Sequence, residues 1–138
     1  MRSESEIVGV VGFSSMVVRP GDSLAALGVG DLPILATSHL ANLMESASVC
    51  VMDDFLEAGE SSRLTHIGIQ VLDSVAIGSE IRASATCTEM LGRELTFICD
   101  VYQGDREIAR AEMKRAIVER VSFLARTAAQ SMMGQTPR

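Results

Sequence analysis

No apolar run in this sequence approaches the roughly 18 residues that a membrane-spanning helix needs, although 47% of its 138 residues are hydrophobic. A soluble chain is expected, and 138 residues suffice for one domain with a real core. A basic, apolar leader ending in small residues is also missing: the opening MRSESEIVGVVGF carries Glu4 and Glu6 instead. Cysteine is scarce, and Cys50, Cys87 and Cys99 are odd in number and scattered through apolar or alternating stretches. That pattern fits neither a disulfide framework nor a zinc site, and it predicts reduced core thiols in a cytoplasmic protein that holds no metal or cofactor. Cations are outnumbered, 12 against 18 acidic groups for a net charge of −6, which argues against a nucleic-acid binder. The shortage is uneven. Residues 1–60 hold 2 basic and 9 acidic groups, and residues 61–138 hold 10 and 9, so a phosphate-bearing ligand would find its cations in the second half.

What is present centres on residues 31–56, DLPILATSHLANLMESASVCVMDDFL. Leu40, Met44, Ala47, Val51 and Phe55 recur every three or four residues, which at 100° per residue makes one helical stripe. The spacing predicts a core helix from about residue 38 to 56, ended by the left-handed glycine cap that Gly59 can supply. Thr37 stands at its start, where a hydroxyl can cap free N–H groups. Glu45 falls at the edge of the apolar stripe, and a carboxylate buried there without a partner would cost several kcal/mol. His39, six residues before Glu45, is rotated away from it and reads as a surface or dimer-contact residue.

The remaining segments read as strands. Residues 7–19 are β-branched and stop at the turn signal Pro20-Gly21-Asp22, and residues 23–36 read as a loop with Gly28, Gly30 and Pro33. Four further strands are expected at 62–72, 79–91, 94–103 and 107–118, separated by turns at 73–78, 91–93 and 104–105. Ile67, Ile69 and Val71 share a face with Thr65, and His66, Gly68 and Gln70 share the other. Residues 107–118 also suit a helix by composition, but the two-residue Gly-Asp turn directly after another strand favours a hairpin. Ser122 is expected to cap a short C-terminal helix to about residue 133. The whole chain then reads as a single α+β domain with its core at about 7–120. An antiparallel meander with one apolar face must curl around the one helix available to it, and its remaining edges call for a dimer.

This plan, with the words VVRPGDSL at 17–24, LATSHLANLMESA at 35–47, THIGIQVL at 65–72 and LGRELTFICDVYQGDREIARAEMKRAIVERVSFLAR at 91–126, resembles the hot-dog fold and, within it, the fluoroacetyl-CoA thioesterase-like family. The resemblance implies a homodimer that binds an acyl-CoA at the subunit interface and hydrolyses its thioester, with pairing of dimers into tetramers left open. It also implies a catalytic Thr at the helix start, a Glu eight residues on, and a His on the following strand. Thr37 and Glu45 match the first two. The position of the family's imidazole falls on Val71, and Leu64 replaces the glycine that commonly precedes Thr65, so Leu64 and Val71 are expected to line the substrate. The aromatic cover of the fluoroacetyl-specific site has no counterpart in GVGDLPIL at 28–35, which argues against that substrate.

His66 replaces the missing imidazole only if a β-bulge, for which Gly68 is the candidate, brings it to the face of Val71. Thr37 is a nucleophile or water-orienting group on one reading and a plain helix cap on the other. Glu45 is a general base or simply an exposed or interface carboxylate. Arg93, Arg106, Arg110, Lys114 and Arg115 are candidates for the CoA phosphates, against the plainer reading of a solvated strand face. Three functions follow: a thioesterase without the family histidine, a non-catalytic acyl-CoA binder, and a purely structural dimer.

Overall fold

The apolar stripe of the long helix is turned onto a curled antiparallel sheet in the computed structural model, which describes residues 3–134. The helix, Thr37–Phe55, buries Leu40, Met44, Ala47, Val51 and Phe55 as its spacing requires, together with Leu43, Ser48 and Met52. The strands are β1 (Val11–Val17), β2 (Glu60–Val71), β3 (Glu80–Leu91), β4 (Glu94–Gln103) and β5 (Arg106–Glu119). They lie in the order β1-β3-β4-β5-β2, each antiparallel to its neighbours. This is the hot-dog architecture.

Alternation decides which side of the sheet meets the helix. Ile81, Ala83, Ala85 and Cys87 of β3, Leu95, Phe97, Cys99 and Val101 of β4, and Ala109, Ala111, Met113 and Ile117 of β5 form the buried inner face. Residues 106–119 are a strand, because the turn at Gly104-Asp105, with φ +59° at Gly104, folds them straight back along β4. Cys87 and Cys99 are core thiols, and burial pushes Cys99 up to about 12. Cys50 is exposed on the helix, unlike the core placement expected of it.

The sheet and helix pack closely at Gly12 of β1, where a Cβ would stand 2.2 Å from the carbonyl oxygen of Ala47. Residues 7–9 do not extend the strand: they follow a 3-10 turn at Glu4–Glu6, and Ile7 turns into the core. The crossing from β1 to the long helix is more ordered than a loop. It holds a 3-10 turn at Pro20–Asp22 and a one-turn helix, α1 (Leu24–Leu27), capped by Ser23 Oγ accepting from the Ala26 N–H at 3.1 Å. The long helix is accordingly α2. Leu35 N–H donates to the Val75 carbonyl (3.0 Å) and fastens the crossing to the β2–β3 connection.

The last helix, α3 (Arg120–Gly134), runs directly out of β5 and buries no residue. Ser122 lies inside it and does not cap it, its hydroxyl donating to the Glu119 carbonyl at 3.4 Å. No helix among the described residues is long and apolar enough to cross a membrane. Among the described residues both outer strands keep a free side, and that of β2 is 12 residues long.

Candidate active site

Helix α2 begins one residue earlier than its sequence suggests, with Ala36 as the cap and the exposed Thr37 as its first residue. The reason is backbone docking. Ala36 donates to the Asp22 carbonyl (3.0 Å), and its own carbonyl accepts from His39 N–H at 3.0 Å. Thr37 therefore has no capping role, and its hydroxyl makes no hydrogen bond within the described residues. The N–H groups of Thr37 and Ser38 likewise find no backbone acceptor there. They are open donors at the positive end of the helix dipole.

Asp22 secures this end from the side. It is 6% exposed and accepts from the Arg19 N–H at 2.9 Å, which holds its carboxyl below the usual value while burial opposes the shift and the charges of His39 and Arg19 assist it. His39 Nε2 stands 3.7 Å from Asp22 Oδ1. The histidine is thus bound to the crossing segment, on the flank of α2 turned away from Glu45.

Two turns further on, Glu45 is one-third exposed, and its Oε2 is buried without a hydrogen-bond partner. The nearest charge is Arg115 Nη1, at 3.8 Å. Arg115 is only 5% exposed because it sits on the inner row of β5 among Ala111, Met113 and Ile117. Ser62 holds it, accepting from Nε at 3.1 Å through Oγ and from Nη2 at 3.5 Å through its carbonyl, and Ser48 Oγ accepts from Nη1 at 3.5 Å. Burial pushes the guanidinium pKa down, and Glu45 and then Asp53 pull it back up. Asn42, Ser46 and Val49 complete an open pocket over the pair.

Strand β2 does contain a bulge, but at Thr65: Leu64 pairs with Arg115 and His66 with Lys114, and the register then runs unbroken to Val71 opposite Ala109. Thr65 turns its hydroxyl to the Lys114 carbonyl at 3.2 Å, so Leu64, not Thr65, continues the row of Ile67, Ile69 and Val71 towards the helix. Without a bulge at Gly68, His66 stays on the outer face beside Lys114 and Val71 on the inner one. Within this chain the imidazole therefore lies on the face opposite to that of Val71. Val71 itself is 49% exposed.

The residues expected to act together fall at two poles. Eight residues at the helical rise put Thr37 and Glu45 about 12 Å apart along the axis. The strand from Leu64 to Val71, six ladder steps once the bulge at Thr65 is discounted, puts the two about 20 Å apart. Glu45, Arg115, Ser62 and Leu64 make one pole. The chain reversal between α2 and β2, with the Leu35–Val75 hydrogen bond, puts Val71 towards the Thr37 end, which is the other.

Of the five cations expected to meet phosphates, four are taken by carboxylates. Arg93 pairs with Glu60 (3.0 Å), Arg106 with Asp73 (2.6 Å), Arg110 with Glu107 (2.6 Å) and Arg115 with Glu45. Lys114 makes no ion pair among the described residues. No group of three or more potential metal ligands occurs among them either.

A family model for the fluoroacetyl-CoA-specific thioesterase matches residues 18–121. The fluoroacetyl-CoA thioesterase of Streptantibioticus cattleyicolor is 28% identical over 101 residues, 73% of each chain. A mutant of a fluoroacetyl-CoA-specific thioesterase, solved with fluoroacetate and CoA, superposes with a TM-score of 0.78 at 27% identity, covering 89% of this chain and 99% of that one. A thioesterase superfamily member from Thermus thermophilus shares the fold, with a TM-score of 0.85 at 22% identity over 98% of this chain and all of the other. With the family model spanning α2 and all of the sheet except β1, this chain belongs to the fluoroacetyl-CoA-specific thioesterase family of the hot-dog fold.

Proposed function

We propose that the protein is a cytoplasmic, homodimeric acyl-CoA thioesterase whose site forms between two subunits and works without an imidazole. The observation that carries this reading is Glu45, placed at the rim of α2 and faced by the buried Arg115. A free 12-residue edge on β2 is open to the β2 of a second copy. Antiparallel pairing of the two edges about a twofold axis sets the Glu45 pole of one subunit towards the Thr37–Val71 pole of the other. The two poles of a single chain are too far apart to share a proton.

The chemistry needs few groups. Glu45 takes a proton from water as the water oxygen bonds to the thioester carbon, and the carbonyl electron pair moves onto oxygen. The N–H groups of Thr37 and Ser38 hold that oxyanion, with the Thr37 hydroxyl beside it to orient the water. Collapse expels the CoA sulfur, which receives the proton back from Glu45, leaving a carboxylic acid and free CoA. Val71 and Leu64 line the acyl end as aliphatic walls, and residues 28–35 contain no aromatic side chain to select a fluoroacetyl group. Loss of an acid–base group typically costs 10²–10⁴-fold, so turnover is slow.

A second reading, a non-catalytic acyl-CoA binder, is favoured by Val71 itself. Hydrolysis of short- and medium-chain acyl-CoAs by the wild type, Glu45→Ala and Val71→His separates the two. Turnover in the wild type that falls by about 10²-fold or more in Glu45→Ala supports the enzyme. An inert wild type that CoA still stabilises against heat, with activity appearing in Val71→His, establishes the binder. If CoA neither reacts nor stabilises, both readings fall and a structural dimer remains.

A further inference from the structure

Arg63 near the start of β2 and Arg126 in α3 converge on the ring of Phe123, with their guanidinium carbons 5.4 and 5.8 Å from its centroid. The two arginines lie far apart in the chain, so the fold, not helical spacing, brings them together. Neither makes an ion pair or a hydrogen bond among the described residues, whereas Arg19, Arg93, Arg106, Arg110 and Arg115 each face a carboxylate. Like charges gathered at one ring repel each other. Attraction to the ring offsets part of that, but the guanidinium forks keep their donors open. Val118, Glu119 and Ser122 continue an open groove beside Phe123 and Arg126. Glu119 shares the groove without pairing with either arginine.

An anion held at the Phe123 ring meets two planar forks, that of Arg126 lining the groove and that of Arg63 beside it, the geometry that suits a phosphate, and a flat base beside it finds an aromatic ring and guanidinium planes to stack on. We propose that Arg63, Phe123 and Arg126 form the subsite for the 3′-phosphoadenosine end of coenzyme A. This rests on the acyl-CoA reading above and adds to it where the nucleotide is held. The placement is consistent with a shared site: antiparallel pairing of two β2 edges sets the Arg63 end of one subunit beside the Val71 end of its partner, so each site draws Glu45 and its nucleotide subsite from one chain and its Thr37–Val71 end from the other.

The test is titration calorimetry of CoA and 3′-dephospho-CoA against the wild type, the surface double variant Arg63→Ala/Arg126→Ala, and Arg82→Ala as a control, since Arg82 also lies on a ring, that of Phe13, but outside the groove. The wild type and Arg82→Ala should bind CoA about tenfold more tightly than 3′-dephospho-CoA, and the double variant should bind CoA about tenfold more weakly and no longer distinguish the two. A double variant that binds CoA as the wild type does, or a wild type indifferent to the 3′-phosphate, overturns the subsite and leaves the acyl-CoA reading standing. A wild type that binds neither compound overturns that reading and the subsite with it.

Discussion

Glu45 depends on one buried cation. Replacing Arg115 with Met keeps the volume roughly similar but leaves Glu45 Oε2 buried with no charge against it, and removes the donors that Ser48 and Ser62 accept from. Arg115→Met should lose about 1–3 kcal/mol in urea denaturation, the cost of buried groups left unpaired. In turnover it should lower kcat with little change in KM, because the carboxylate is displaced while the proposed acyl-CoA contacts remain, and Arg115→Lys should recover part of both. A variant as stable and as active as the wild type would show that the pair does nothing. The two members of this pair were unequally legible. Glu45 stands out because its offset from the apolar stripe is a matter of helical period alone. Arg115 sits in the run Met113-Lys114-Arg115-Ala116, where two adjacent cations point to opposite faces and only the register with β4 and β2 decides which one is buried. Thr65 was misplaced for a related reason. A bulge adds one residue to a strand without any required sequence mark, and the Gly68 that drew attention lies three residues beyond the real one.

Between elements, the close approach of β1 to α2 turns on a single missing side chain. A Cβ at Gly12 meets the backbone of Ala47, which cannot swing aside, and then the Val51 side chain at 2.9 Å. Gly12→Ala should therefore destabilise by about 3 kcal/mol, the upper part of the usual cost of overpacking. Gly21→Ala, where nothing lies within 4 Å, should stay within about 0.5 kcal/mol of the wild type. Thermal and denaturant melts of the pair read the difference directly, and equal stabilities would mean that strand and helix are not in rigid contact. The long elements were legible because each repeats one pattern over many residues. Period 3.6 marks α2, and period 2 with Gly turns marks β3 to β5. The crossing at residues 23–36 was read as a loop because α1 spans one turn, too short for any period to register, and its order comes from its own cap and turn hydrogen bonds together with contacts to residues 75 and 76, far along the chain. The start of α3 at Arg120 was missed because β5 flows into it without a turn.

At the scale of the molecule, the proposed mechanism requires Thr37 and Glu45, about 12 Å apart on one helix, to act on one thioester. Two copies joined through β2 meet that requirement if each site takes Thr37 from one subunit and Glu45 from the other, and that arrangement has a signature no single-chain site can produce. Thr37→Ala and Glu45→Ala should each be nearly inactive as pure dimers. After denaturing them together in equal amounts and refolding, half of the dimers carry one chain of each kind. Each mixed dimer then holds one site built from an intact Thr37 and an intact Glu45, and a second site lacking both. Activity should return to about one quarter of that of refolded wild type. Were both residues drawn from the same chain, every site in the mixture would lack one of them, and refolding together would restore nothing. The size of the recovered activity thus reports the subunit origin of the two groups and, because the sharing requires a twofold pair, the existence of the dimer in the same measurement.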